Sequence, residues 1–284
     1  MLSQPGSRGA DPAIFIRDMM RFTPRAWVTP TLVAANVALF ALQIAMGVSL
    51  TSPTSDALLG WGANLDVLTM NGEWWRLLTC CFLHIGVMHL GFNMLALWRS
   101  GVFVEQLYGN VAFLCLYLVA GVGGSVSSLL FHHLTVSAGA SGAIFGVFGG
   151  LVGFLARNRN TMPKGMLRAL RSNVVQMLVL NGLISVAIPQ IDLAAHGGGF
   201  VVGVLFGFAV AQPMTREGAS KRVSRALIAV GVAVAALVAW VFALAPHPAP
   251  LPEDAYTIRQ PSNVEIDSRV TAIEHAPFRP RQNA

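Results

Sequence analysis

Ser141 stands in Gly139-Ala140-Ser141-Gly142-Ala143-Ile144-Phe145-Gly146, a small-residue turn leading into a glycine-rich apolar stretch. A hydroxyl at such a junction can act as a nucleophile. The backbone N–H at a helix N-terminus carries partial positive charge, which favours an oxyanion. The same residues also suit plain helix packing. His196 opens a second apolar stretch in Asp192-Leu193-Ala194-Ala195-His196-Gly197-Gly198-Gly199. A histidine in such a setting can be a proton relay, a metal ligand or a packed polar group. No cysteine or carboxylate joins it at ligand spacing, so no metal is expected. His89 and Asn93 are four residues apart and share one helix face. With His84 a little earlier, they can line a polar cavity, or they can simply hold helices together.

Glycine spacing connects the serine to the histidine. Gly142, Gly146, Gly149, Gly150 and Gly153 mark one face of the first stretch, and Gly199, Gly203 and Gly207 mark one face of the second. Small residues at this spacing let two helices approach closely. Close approach would bring Ser141 near His196, and a hydrogen bond of about 3 Å is what a serine needs to lose its proton to a base.

The elements that must hold these residues are membrane spans. The chain has 284 residues, of which 54% are hydrophobic and 11% charged, with a mean hydropathy of +0.60. Soluble domains carry about a quarter charged residues. This composition excludes a single water-facing core and predicts a polytopic membrane protein in contact with the lipid bilayer. The net charge of +6 does not indicate nucleic acid, because the bases cluster in loops between apolar runs. That clustering is the pattern that orients spans. Cys80, Cys81 and Cys115 give neither a disulfide framework nor metal spacing and read as small core residues.

Seven spans are predicted, at about 31–50, 82–97, 111–131, 141–157, 174–188, 193–211 and 226–244. The second is expected to contain His84, and the residues after it, with Arg99 and Glu105, are read as a short cytoplasmic loop. Residues 51–81 form a long outer loop with Trp61, Trp74 and Trp75. There Arg76 could pin the chain through an ion pair or through carbonyls. Arg157, Arg159, Lys164, Arg168 and Arg171 follow the fourth span with no acid among them, the strongest cytoplasmic signal in the chain. This count places the N-terminus in the cytoplasm and the C-terminus outside. The Pro-rich tail reads as disordered.

Taken together, the chain resembles the rhomboid intramembrane serine proteases. The resemblance rests on Trp75-Arg76, His84, His89…Asn93, Gly139-Ala140-Ser141-Gly142 and Ala195-His196…Gly199…Gly203. It implies an all-α polytopic fold, a six-helix rhomboid-like core at 31–211. An N-terminal arm (1–30), a basic loop with a seventh C-terminal transmembrane helix (212–245) and an extracytoplasmic tail (246–284) complete the chain. It also implies a Ser141–His196 dyad without a third acid, and an oxyanion pocket made by the Ser141 N–H, His89 and Asn93. Phe145 stands where relatives often carry a tyrosine packed on the base. The expected activity is serine endopeptidase cleavage of transmembrane segments of other membrane proteins, with no cofactor, in a bacterial cytoplasmic membrane. A non-catalytic helix-binding relative is the alternative. A transporter would need polar residues continuing into the cytoplasmic half.

Overall fold

The structure, a computed structural model, describes residues 11–132, 134–187 and 191–243. These belong to one unit, Met1–Ala245. The tail, His133 and residues 188–190, which include the end of the fifth predicted span, lie outside the described residues. Among the described residues the regular elements are helices, joined by one antiparallel bridge between Asn64 and Ser137.

The N-terminal arm carries an amphipathic helix, α1 (Pro12–Phe22). Asp11 caps it by accepting the Ala13 N–H at 2.8 Å, Pro12 fills the first turn, and Phe15 and Met19 are buried. Then comes α2 (Val28–Ala45). The long loop folds into three short helices, α3 (Ser55–Gly60), α4 (Asp66–Met70) and α5 (Arg76–Thr79), and a 3-10 turn at Cys80–Phe82. The remaining helices are α6 (Val87–Tyr108), α7 (Asn110–Phe131), α8 (Ser141–Arg157), α9 (Lys164–Ala187), α10 (Leu193–Val210) and α11 (Arg216–Ala243). Each stretch expected to span has its helix. By length and composition α2, α7, α10 and α11 are each apolar enough to cross a membrane, and α8 is a shorter apolar helix.

Several boundaries differ from the sequence reading; α11, for one, begins at Arg216, so the basic residues before the seventh predicted span are helical. His84 lies before α6, not in it: Gly86 caps that helix at φ +88°, and the Val87 N–H is taken by Leu50 O at 2.9 Å. The segment Arg76–Phe82 therefore meets α6 at a 92° bend. Arg99 and Glu105 are not in a loop, because α6 continues to Tyr108. Glu105 is wholly buried, accepting the Val28 N–H at 2.7 Å, the Thr29 N–H at 2.8 Å and the Thr29 hydroxyl at 2.7 Å. It is the N-terminal cap of α2, supplied from another helix, and the charge is offset by the N–H groups it satisfies. Likewise Lys164, Arg168 and Arg171 lie on α9, not in a loop.

At the centre, α8 packs against α10 and α7. A Cβ on Gly199 would strike Gly142 O, and one on Gly203 would strike Gly146 O. One on Gly207 would lie 2.7 Å from Gly150 Cα. The two predicted glycine faces thus meet backbone to backbone. The Tyr108 hydroxyl closes the far end, lying 2.8 Å from Gly150 O and 3.0 Å from Gly207 O. Large side chains such as Phe92 and Phe242 point outward, as a lipid-facing surface requires.

Gly203→Ala should force α8 and α10 apart and cost about 1–3 kcal/mol or more. Gly182 on α9, where a Cβ meets nothing within 4 Å, is the control. Thermal unfolding in detergent should show a lower Tm for Gly203→Ala and no loss for Gly182→Ala.

Candidate active site

The site begins with the loop of residues 51–81. Arg76 is buried, and its guanidinium donates to Glu73 Oε2 at 2.8 and 2.7 Å, to Leu59 O at 2.7 Å and to Ala63 O at 2.9 Å. It also sits 4.7 Å from the Trp75 ring centroid. Both pinning modes considered from the sequence are therefore in use. Asn64, held inside this loop, pairs its backbone with Ser137 in both directions at 2.9 Å. Gly139 N–H then donates to Cys80 O at 2.9 Å. The chain entering Ser141 is thus laid against a rigid surface.

Ser141 is the first residue of α8 and is half-buried, so its N–H is one of the helix's open donors. Phe145, one turn on, stacks on the His196 ring with centroids 4.1 Å apart and planes 14° apart. His196 is buried in the first turn of α10. The carbonyl just before it, Ala195 O, lies 2.7 Å from a Cβ built on Gly124 of α7 and 3.4 Å from one on Gly142 of α8. Serine and histidine are thus carried by the first turns of two helices in direct backbone contact.

On the other side of the turn stands His89. Its Nδ1 lies 3.2 Å from the Ile85 N–H and accepts from it. A neutral ring that accepts at Nδ1 carries its proton on Nε2. A Cβ on Gly139 would fall 3.1 Å from His89 Nε2, 2.7 Å from His89 Cε1 and 3.6 Å from Ser141 Oγ. The space left by that absent side chain is therefore bordered by an imidazole N–H donor and the serine hydroxyl. Asn93 is buried on the same helix, with Nδ2 donating to His89 O at 2.9 Å. Its second amide hydrogen has no protein acceptor among the described residues. His84 is buried 5.3 Å from the His89 ring, centroid to centroid. The structure thus brings Ser141, Phe145 and His196 to one side of the turn and His89, Asn93 and His84 to the other. Among the described residues no group of three or more His, Cys, Asp and Glu side chains is arranged to hold a metal ion.

Sequence reasoning missed the role of one residue beside this site, Asp192. Asp192 caps α10, taking the Ala195 N–H at 2.9 Å. An Asp directly before an apolar helix is itself a cap signal.

Gly139 has φ +145°, a conformation that L side chains rarely adopt. Gly139→Ala should therefore displace His89 and lower turnover at least tenfold while leaving the Tm within a few degrees. Rate per folded molecule and melting, read on one preparation, check this.

The model of the Rhomboid domain matches residues 71–213, just over half of the chain. Over 235 residues the chain is 37% identical to "Rhomboid protease GluP" of Bacillus subtilis (strain 168), covering 82% of this chain and 43% of that protein. It is 34% identical over 207 residues to "RHOMBOID-like protein 1" of Arabidopsis thaliana, covering 64% and 52%. It is 32% identical over 206 residues to "Rhomboid protease AarA" of Providencia stuartii, covering 64% and 72%. The match spans about half the length of the first two of these relatives. With an all-helical fold, apolar helices and a domain match across the whole Ser141–His196 region, this chain belongs to the rhomboid family of polytopic membrane proteins.

Proposed function

We propose that this protein is an intramembrane serine endopeptidase that cuts transmembrane segments of other membrane proteins. Ser141 is the nucleophile and His196 the base. His89, Asn93 and the Ser141 N–H hold the oxyanion. The observation that carries the reading is the stacking of His196 on Phe145, one turn from Ser141, beside the open donor side of His89. Two relatives bear the name rhomboid protease.

In this mechanism neutral His196 takes the Ser141 proton as Oγ bonds to the peptide carbonyl carbon. The carbonyl electrons move to oxygen, where the three donors hold the charge in a low-dielectric pocket. Collapse of this intermediate breaks the C–N bond, and His196 gives its proton to the leaving amine. Water then hydrolyses the acyl-enzyme by the same route. A substrate helix must unwind locally to offer a scissile bond, so helix-breaking residues near the cut favour cleavage.

Seven spans and a cytoplasmic N-terminus fit the mechanism. The helix α8 measures about 25 Å at ~1.5 Å per residue, less than a hydrocarbon core of about 30 Å. With Arg157 at the inner face, Ser141 lies below the outer surface in a water-filled pocket open to the outside. The basic residues around the end of α8 and the start of α11, including Arg157, Arg159, Arg216 and Arg225, then lie on the cytoplasmic side. Residues 31–211 form the catalytic core, with the arm, seventh helix and tail outside it.

A single-span reporter reconstituted with the purified protein tests this. Wild type should cut it, and Ser141→Ala and His196→Ala should both lose at least a thousandfold in rate while keeping the wild-type Tm. Undiminished cutting by Ser141→Ala would refute the dyad. Reporter binding without cutting by wild type would identify a non-catalytic helix binder.

A further inference from the structure

Asp192 holds two segments at once. Its Oδ1 accepts the Ala195 N–H at 2.9 Å, capping α10, and lies 3.0 Å from His132 Nδ1. Its Oδ2 accepts the Ser137 hydroxyl at 2.7 Å. Ser137 is in turn the residue that pairs with Asn64. Along the chain, Ser137 precedes Ser141 by four residues, and Asp192 precedes His196 by four. The His196 N–H donates to Asp192 O at 3.1 Å, so one helical turn separates the tie from the imidazole.

The glycine contacts leave this tie a distinct task. Gly142, Gly146, Gly199 and Gly203 set the lateral separation of α8 and α10. The glycines themselves offer no side chains to interlock, so axial register depends on contacts flanking the seam, the Phe145–His196 stack among them. Sliding changes the offset between Ser141 and His196, and hydrogen-bond transfer is sensitive to offsets of an ångström. Tyr108 pins the far end of the seam. At the end carrying the chemistry, the Asp192–Ser137 bond joins the start of α10 to the strand-like segment that enters α8.

Asp192 is well suited to the task. Burial alone would raise its carboxyl pKa, but hydrogen bonds from Ser128, the Ala195 N–H and Ser137, together with neighbouring His132, hold it below its ordinary range. Its bonds are therefore charge-assisted and strong.

We infer that Asp192 is a positioning residue, which fixes the axial register of His196 against Ser141 by tying the N-terminus of α10 to Ser137. This rests on the proposed roles of Ser141 and His196. It requires no contact between Asp192 and substrate.

The test is reporter cleavage by the full chain in liposomes, with kcat, KM and Tm measured for each variant. Asp192→Ala should lower kcat about 10–100-fold with KM within twofold. Ser137→Ala, which loses one arm, should lower kcat about 3–10-fold. The double variant should be no slower than Asp192→Ala alone, because the only bond that Ser137→Ala removes from the tie is one that Asp192→Ala has already broken. Asp192→Asn can still accept from Ala195, and the Ser137 hydroxyl can turn to accept its amide, so it should recover at least a third of wild-type kcat. Multiplicative losses in the double variant would overturn the tie, as would a lower Tm with unchanged kcat per folded molecule. If Asp192→Ala does not fold, Ser137→Ala decides, and an unchanged kcat overturns the proposal. Cutting by Ser141→Ala, run alongside, would instead overturn the dyad on which the inference rests.

Discussion

The backbone contact between α8 and α10 is the constraint on which the rest depends. Lipid tails are as apolar as the helices, so burial of apolar surface does not drive them together. Close packing must supply the attraction, and here it is available only because Gly142, Gly146 and Gly150 face Gly199, Gly203 and Gly207. A Cβ on Gly199, Gly203 or Gly207 would meet the backbone of α8, which has no rotamer to change, while one on Gly146 or Gly150 would first meet Ala120 or Leu116 of α7. The result is two helices whose first turns carry Ser141 and His196, with Phe145 stacked on the imidazole. In the proposed mechanism the geometry of the dyad is thus inherited from packing, not from a network of polar residues reaching across the membrane.

Polar groups are instead spent on fixing the ends. Inside a bilayer an unsatisfied polar group is costly, so each buried charge needs its own set of partners. Glu105 closes the start of α2, and Arg76 gathers Leu59 O, Ala63 O and Glu73 in the loop beside the serine turn. That loop matters to the site through one short bridge. Asn64 pairs with Ser137, its side chain accepts the Thr69 hydroxyl at 2.7 Å, and its amide donates to Ser125 O at 3.1 Å. A single asparagine therefore links the folded loop, α7 and the segment leading to Ser141.

Much of this was legible in the sequence, because membrane proteins write their spans as long apolar runs and their close contacts as glycine spacing. The Ser141 turn, the paired glycine faces, the His89–Asn93 face and the two options for Arg76 are all local patterns. What escaped depended on distant partners. Glu105 read as a loop acid because charges usually mark span ends, yet its carboxylate caps a helix 76 residues earlier in the chain. Helix α6 therefore ran longer than its apolar part. Asp192 carried a recognisable cap signal toward Ala195. Its bonds to Ser137 and His132, 55 and 60 residues away, had none. His84 was assigned to a helix because the apolar run does not reveal that Gly86 breaks it with a left-handed φ.

The central claim is that one serine, at the start of α8, is made nucleophilic by one histidine across the glycine seam. Covalent capture tests it most directly. The intact protein is treated with a phosphonofluoridate, which phosphonylates an activated serine far faster than an ordinary one, and the adduct is located by peptide mass spectrometry. The account predicts one adduct per chain, on Ser141, absent from His196→Ala. An adduct on another residue, or undiminished labelling of Ser141 in His196→Ala, would contradict it.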